Sequence, residues 1–288
     1  MKYMKKIAWI GTGVMGKPMA LHLAKAGYDV SVYNRTFSKA QAVGKEVTAF
    51  DNIKDCVKDA DVIFTIVGFP SDVKEVYLGE NGILEHAKTG AIVIDMTTSS
   101  PSLAKEIYRA AQLKQIRALD APVTGGDLGA INATLSIMVG GEERTYQEVA
   151  ELLDHLGQTV TYMGPAGNGQ HAKLANQISI AGAIAGTAEA LSYAKSHNLD
   201  LHLMLRVINN GSAASWQSQN NGPKMIVHDK SAGFFIKHFI KDLRLSQQEK
   251  KHIDLPVTKL VLEEFESLED EGYGDFGTQA IIDYYFRQ

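Results

Sequence analysis

The sequence predicts an α/β fold in its first part, with helices on both faces of a mostly parallel sheet, and an all-helical fold in its second part. Two observations support this prediction. Short apolar runs alternate with helical stretches as far as Gly164, which is typical of a parallel sheet. Beyond Gly164, apolar residues recur at helical spacing. We therefore expect two domains, comprising residues 1–164 and 165–288.

The first predicted strand leads into a glycine-rich turn. The apolar run 7–10 is followed by the pattern G-x-G-x-x-G and then by a helix with apolar Met19 and Leu23. A strand, a glycine turn and a helix in this order form the context of a Rossmann-type dinucleotide-binding turn. The free N–H groups at the helix start would face the phosphates. The residues expected to bind the cofactor here are Gly11, Thr12, Gly13, Val14, Met15 and Gly16.

The other elements follow in order along the chain. Apolar runs predict strands at 29–33, 61–67, 91–96, 116–120, 135–139 and 159–163. Helical spacing predicts helices at 38–43, 53–57, 71–77, 102–113 and 146–156. A turn-rich joint is expected at 164–169, and helices at 170–196, 201–209, 240–251, 256–268 and 278–286. Ligands of such sheets bind beyond the carboxyl ends of the strands.

The residues after the second strand predict the choice of cofactor. Chains that select NAD usually carry Asp or Glu there to hold the ribose 2′-hydroxyl. Here the residues are Asn34, Arg35 and Thr36, so Arg35 can pair with a 2′-phosphate while its neighbours donate hydrogen bonds. The alternative is an ordinary exposed turn. The sequence therefore favours NADP over NAD, with NAD as the second choice.

Two further stretches carry polar side chains suited to a small substrate. Thr124, Gly125 and Gly126 follow a strand end and can hold a carboxylate through a hydroxyl and backbone N–H groups. Lys173 and Asn176 lie one helical turn apart, with Gln177 beside them, so all three can share one face of the long helix. The alternative for Lys173 is a solvated surface lysine, but its apolar neighbours weigh against that reading.

Composition excludes several classes of partner. The net charge of -4 gives no basic footprint for nucleic acid, and no stretch has the length and apolarity of a membrane span. The single cysteine, Cys56, suits a reducing compartment, so we expect a cytoplasmic protein with a packed thiol. We expect no metal, because His22 and His171 lack a second ligand at metal spacing.

Four ordered motifs resemble the β-hydroxyacid dehydrogenases over nearly the whole chain. This family includes 3-hydroxyisobutyrate dehydrogenase, tartronate semialdehyde reductase and the glyoxylate/succinic semialdehyde reductases. The motifs occupy residues 11–20, 120–126, 167–176 and 241–243. Gly68, Asp72, Thr124 and Gln177 differ from residues common in the family and leave the substrate open.

The resemblance implies roles for particular residues. Lys173 matches the catalytic lysine, which would act as general acid and base. Residues that match substrate-binding positions are Thr124, Gly125, Gly126, Lys173 and Asn176. Residues that match cofactor-binding positions are Val67, Gly68, Thr98 and Lys241. The implied reaction transfers a hydride between NADP(H) and a short, carboxylate-bearing β-hydroxy acid or semialdehyde.

Other functions stay open from the residues alone. A glyoxylate/succinic semialdehyde reductase would use the same site. A non-catalytic dinucleotide-binding scaffold would have no need for Lys173, and an imine reductase of similar fold usually carries Asp or Tyr in its place. The resemblance also implies a homodimer or homotetramer formed through the helical domain.

Overall fold

A mostly parallel sheet organises the first part of the chain, in a computed structural model that describes residues 6–287. Its strands are β1 (Lys6–Ile10), β2 (Asp29–Tyr33), β3 (Thr48–Phe50), β4 (Val62–Thr65), β5 (Ile92–Asp95), β6 (Arg117–Asp120), β7 (Val123–Thr124), β8 (Leu135–Gly141) and β9 (Gly157–Gly164). The order is β3-β2-β1-β4-β5-β6-β8-β7, and β9 pairs with β8. Only the pairings of β8 with β6 and with β7 are antiparallel among the described strands.

Helices cover both faces of this sheet. They are α1 (Gly16–Lys25), α2 (Phe37–Gln41), α3 (Ile53–Val57), α4 (Pro70–Leu78), α5 (Ile83–His86), α6 (Pro101–Leu113), α7 (Gly126–Ile131) and α8 (Glu143–Asp154). Trp9 of β1 packs in one core cluster with Leu23 of α1, whereas Ile10 packs in a second cluster with Ile107 of α6. Successive strand residues point to opposite faces, so a strand buried on both sides is apolar throughout.

The second part of the chain is helical. Its helices are α9 (Asn168–Ser196), α10 (Leu201–Asn210), α11 (Gly222–Ile226), α12 (Ile236–Glu249), α13 (Pro256–Asp270) and α14 (Ile282–Phe286), with a π-helical turn at Gln217–Asn221 and 3₁₀ turns at Tyr273–Asp275 and Thr278–Ile281. Phe239 and Phe265 meet edge to face at the centre of its core, with ring centroids 5.1 Å apart. The predicted fold class, a Rossmann-type sheet domain followed by a helical domain, is confirmed.

Contacts divide the chain into two compact units within helix α9. The first unit ends at Lys173 and the second begins at Leu174. The beginning of α9 thus packs with the sheet although it is helical. The domain boundary predicted at Gly164 from the turn signals stays a prediction.

Several predicted elements differ in extent from the observed ones. The turn predicted at 164–169 is too long, because α9 already begins at Asn168, where the carboxylate of Asp120 accepts N–H groups from the segment. The helix predicted at 240–251 begins earlier, at Ile236, and the one at 278–286 begins with a 3₁₀ turn. The short elements β3, β7, α5, α7 and α11 have too few residues to show a period and were not predicted.

Candidate functional site

The three glycines after β1 serve different purposes. A Cβ on Gly11 would overlap the carbonyl oxygen of Ile66, and one on Gly16 would overlap the carbonyl oxygen of Gly11. Packing therefore requires the first and third glycines. Nothing lies within 4 Å of a Cβ built on Gly13. The second glycine faces open space, as expected where a ligand approaches the backbone.

Thr12 gives the turn a second feature that suits a phosphate. Its N–H donates to Oδ1 of Asn34 at 3.1 Å, and Nδ2 of Asn34 donates to the carbonyl oxygen of Thr36 at 3.1 Å. Asn34 thus ties the turn to the end of β2. The Oγ1 atom of Thr12 is buried and has no hydrogen-bond partner within residues 6–287. A phosphate oxygen would satisfy this hydroxyl, so the residues present fit a dinucleotide.

The other predicted residues of this turn lie close by in sequence and structure. Val14 is exposed, and Met15 directly precedes the first turn of α1. Thr36 directly precedes α2. All of them lie beyond the carboxyl ends of β1 and β2, which is the ligand-binding edge of such a sheet.

Arg35 has a partner that the sequence did not reveal. Its Nη1 atom lies 3.4 Å from Oδ1 of Asp72, and the Arg35 side chain is 84% exposed. The Oδ2 atom of Asp72 accepts the N–H of Phe69 at 3.0 Å, in the first turn of α4. An exposed ion pair of this kind contributes little to stability. Its importance is that it brings a carboxylate to the residues after β2.

Val67 and Thr98 follow the ends of two paired strands, β4 and β5. The N–H of Val67 donates to Oγ1 of Thr97 at 3.0 Å, and the N–H of Thr97 donates to Oδ1 of Asp95 at 3.0 Å. The structure therefore joins the loop that contains Val67 and Gly68 to the turn that contains Thr98.

The Thr124–Gly126 segment leads from β7 into α7. Gly125 has φ +130° and Gly126 has φ +67°, which residues with a side chain rarely adopt. Glycine is therefore required at Gly125, whereas at Gly126, where nothing lies within 4 Å of an added Cβ, it is favoured by the backbone angle alone. Thr124 is half-buried at the end of β7, in a ladder with Ser136 of β8.

Lys173 is buried near the start of α9, with only 6% of its surface exposed. The start of this helix is held by Asp120, whose carboxylate accepts the N–H groups of Gly167 at 2.7 Å and Gln170 at 2.9 Å. Burial raises the pKa of the Asp120 carboxyl to about 6, although these N–H groups oppose the rise. Lys173 thus lies on a helix whose start is fixed by hydrogen bonds to Asp120.

The second unit holds a separate polar network. Nδ2 of Asn176 donates to Oε1 of Gln177 at 3.0 Å, and Nε2 of Gln177 donates to Oδ2 of buried Asp242 at 2.7 Å. Nζ of Lys241 lies 3.0 Å from Oδ1 of Asp242. Two predicted site residues, Asn176 and Lys241, are therefore linked through Gln177 and Asp242, and the sequence showed Asp242 only as part of a motif.

Cys56 and His22, which carry titratable side chains outside the predicted site, are held by packing and hydrogen bonds within the fold. Cys56 is buried, and burial raises the pKa of its thiol to about 12, which confirms a packed rather than a reactive thiol. Nε2 of His22 lies 3.0 Å from the carbonyl oxygens of Ala130 and Ile131. Across residues 6–287, no group of three or more His, Cys, Asp or Glu could hold a metal ion. In the same part of the chain, no helix combines the length and apolarity that a membrane crossing requires.

Two family models together match almost the whole chain. One, described as the NAD binding domain of 6-phosphogluconate dehydrogenase, matches residues 6–164. The other, described as NAD-binding of NADP-dependent 3-hydroxyisobutyrate dehydrogenase, matches residues 167–285. The chain belongs to the β-hydroxyacid dehydrogenase family.

Relatives agree with this membership in the β-hydroxyacid dehydrogenase family. The chain is 45% identical over 281 residues to the probable 3-hydroxyisobutyrate dehydrogenase-like 1 protein of Arabidopsis thaliana, covering 96% of this chain and 84% of the relative. It is 34% identical over 281 residues to 2-hydroxy-3-oxopropionate reductase of Escherichia coli K12, covering 96% of each. The solved structure of Mycobacterium tuberculosis 3-hydroxyisobutyrate dehydrogenase with L-serine matches with a TM-score of 0.88 at 28% identity, covering 97% of this chain and 98% of that chain.

Membership in this family fixes the cofactor class and the class of enzyme. The protein is an NAD(P)-dependent oxidoreductase that binds a nicotinamide dinucleotide. The resemblance read from the four motifs is confirmed. The scaffold alternative is not supported, because the relatives are named as dehydrogenases and reductases.

Proposed function

We propose that this oxidoreductase transfers a hydride between NADP(H) and a short β-hydroxy acid or its semialdehyde, as a 3-hydroxyisobutyrate dehydrogenase-like enzyme. The observation that carries the proposal is the burial of Lys173 on a helix start fixed by Asp120. A surface lysine would be exposed and would not need a fixed helix start. The names of the Arabidopsis and Escherichia coli relatives support this substrate class.

Each group of residues has a task in the proposed reaction. A bound nicotinamide would supply or take up the hydride. Thr124, Gly125 and Gly126 bind the substrate carboxylate, and Asn176 orients the substrate. During reduction, Lys173 protonates the oxygen of the alcohol as it forms, and during oxidation the neutral amine takes that proton back. Gly11–Gly16 would hold the pyrophosphate through backbone N–H groups and Thr12 Oγ1, while Val67, Gly68, Thr98 and Lys241 would contact the rest of the cofactor.

NADP is the preferred cofactor in this proposal, and NAD is the second choice. Arg35 offers an exposed guanidinium beyond the end of β2, and Thr36 adds a hydroxyl. The description of the second matching family as NADP-dependent also supports NADP. Asp72 opposes it, because a carboxylate beside Arg35 repels a 2′-phosphate.

We also propose two functional domains, residues 1–164 for the cofactor and 165–288 for substrate binding and assembly. The helical part exposes large apolar side chains at Leu203, Val207, Val257 and Leu260, which a second copy of the chain would cover in a homodimer or homotetramer. The cytoplasmic location expected from the single cysteine remains part of the proposal.

The substrate class is tested by NADPH oxidation with a panel of aldehydes. The panel contains methylmalonate semialdehyde, tartronate semialdehyde, succinic semialdehyde and glyoxylate, with propanal as a control that lacks a carboxylate. We expect turnover of one or more of the first two and a much higher KM for propanal. Selective turnover of glyoxylate and succinic semialdehyde would favour the reductase alternative. Equal kcat/KM for propanal and the acids would contradict carboxylate recognition.

A further inference from the structure

Gln170 is a fully buried polar residue at the start of α9, and its side-chain amide reaches another part of the first unit. Oε1 of Gln170 accepts the N–H of Ser99 at 2.9 Å, and Nε2 donates to the carbonyl oxygen of Thr97 at 2.8 Å. The amide therefore holds both ends of the turn that contains Thr98. Such a bidentate contact fixes orientation as well as distance, since both polar ends of the amide are used.

The turn held by Gln170 is itself connected to the loop after β4. Oγ1 of Thr97 accepts the N–H of Val67, and the N–H of Thr97 donates to Asp95. A chain of hydrogen bonds thus runs from the Val67 loop through Thr97 to the side chain of Gln170. Buried networks with satisfied members are rigid, because breaking one bond leaves an unpaired polar group.

The backbone around Gln170 is also held by β6. Its N–H donates to Oδ2 of Asp120 at 2.9 Å. A Cβ on Gly169 would lie 2.9 Å from the same oxygen and would overlap the carbonyl oxygens of Met138 and Asp120. The helix start therefore has no room to shift toward the sheet. Lys173 follows Gln170 by about one helical turn of 3.6 residues.

We propose that Gln170 is a positioning residue, which sets the spacing between Lys173 and the turn of Thr98 and acts on the reaction through them. The inference rests on the proposed function, in which Lys173 moves the proton and Thr98 contacts the cofactor. Reacting groups have to be held within a narrow geometry, and a displacement of about 1 Å can lower the rate by about 100-fold.

The substitution Gln170→Met tests this role with little change in volume. Methionine lacks the amide, so it can neither accept the N–H of Ser99 as the amide oxygen does nor donate to the carbonyl oxygen of Thr97. It also adds no titratable group beside the carboxylates of Asp120 and Asp95. The turn of Thr98 should therefore separate from α9. We expect kcat to fall by about 10- to 100-fold, with a smaller rise in the Kd for NADPH.

Gln279→Met is the matched control. Gln279 is also buried, and its Nε2 donates to the carbonyl oxygens of Asp229 and Ser231 at 2.8 Å each, outside the residues of the proposed site. Both variants lose amide donation to backbone carbonyls, so both should unfold at lower temperature. Only Gln170→Met should lose kcat per mole of folded protein, as measured by circular dichroism and steady-state kinetics with saturating NADPH and semialdehyde.

A wild-type kcat in folded Gln170→Met would overturn the inference, as would an equal loss in Gln279→Met. If Gln170→Met does not fold, Gln170→Asn keeps an amide that is shorter by one methylene and cannot span both bonds at their present distances, and the same comparison applies with Gln279→Asn. Lys173→Ala is measured in the same assay. An inactive Lys173→Ala beside a fully active Gln170→Met contradicts the positioning role alone, whereas a fully active Lys173→Ala contradicts the proposed function and the inference with it.

Discussion

Asp72 places a negative charge beside the guanidinium that we propose for the cofactor phosphate. Its carboxylate is fixed by the N–H of Phe69 at the start of α4, while the Arg35 side chain is largely exposed. A carboxylate at this position repels a 2′-phosphate, and it tolerates a ribose hydroxyl. We therefore expect the pair Arg35 and Asp72 to give a moderate rather than a strict preference for NADP.

The substitution Asp72→Asn should increase the preference for NADPH over NADH. Asparagine can still accept the N–H of Phe69, so the helix start is kept while the negative charge is lost. Because exposed charge pairs are worth up to about 1 kcal/mol, we expect the ratio of Kd values to change by about two- to fivefold. Titration calorimetry with NADPH and NADH measures this ratio.

Asp55→Asn provides the control for the loss of a charge. Asp55 also lies in the first turn of a short helix and pairs with a nearby lysine, Lys58, at 2.8 Å. This variant should leave the ratio unchanged. An unchanged or lower NADPH preference in Asp72→Asn would show that Asp72 does not act on the cofactor phosphate.

Residues in short motifs were predictable, and residues that act across the fold were not. Gly11, Gly13 and Gly16 could be assigned because a turn between strand and helix imposes their spacing. The sequence predicted Arg35 as a cofactor-binding residue but not its ion pair, since Asp72 lies 37 residues further along the chain. Gln170 was hidden for the same reason, because its partner Ser99 is 71 residues away.

In the turn between β1 and α1, different glycines serve packing and the proposed cofactor binding. The structure requires Gly11 and Gly16 for close packing, whereas Gly13 faces open space. A methyl group added at Gly16 should therefore lower stability, whereas one added at Gly13 should weaken cofactor binding. The same substitution, glycine to alanine, distinguishes the two contributions.

Gly13→Ala and Gly16→Ala form this matched pair. Gly13→Ala should melt like the wild type but bind NADPH about 10- to 100-fold more weakly, because its methyl group keeps the pyrophosphate from backbone N–H groups. Gly16→Ala should lose about 1–3 kcal/mol or more of unfolding free energy, because its Cβ overlaps Gly11. Thermal melting without cofactor and NADPH titration measure the two effects. Wild-type NADPH affinity in Gly13→Ala would argue against a cofactor at this turn.

Long helices with a clear helical period, and strands with a buried apolar run, were predicted well. The strand at 29–33 coincides with β2, and α6 and α9 differ from their predictions by one or two residues at the start. The short elements β3, β7, α5, α7 and α11 were not predicted, because stretches of two to six residues seldom show a clear period. The start of α9 was missed because it depends on the carboxylate of Asp120, which lies far away in sequence.

At the scale of the whole molecule, α9 belongs to both compact units. Lys173 is the last residue of the first unit, and Asn176 lies in the second. The glycine-rich stretch before α9 predicted a domain boundary there. In the structure, the N–H of Gln170 donates to Asp120 and its side chain donates to Thr97, which keeps the beginning of the helix with the sheet. The lysine that we propose for proton transfer is therefore held by the unit that also carries the dinucleotide turn.

The kcat of Lys173→Ala at saturating substrate and NADPH is the most direct test of this account. We expect a fall of about 10²- to 10⁴-fold, the usual loss for a general acid–base group, with little change in the Kd for NADPH. Lys195→Ala, near the other end of α9, should keep the wild-type kcat. Lys173→Arg should also be inactive, because arginine does not release a proton in this range. A wild-type kcat in Lys173→Ala, or a raised KM that Lys173→Arg restores, would contradict proton transfer by Lys173.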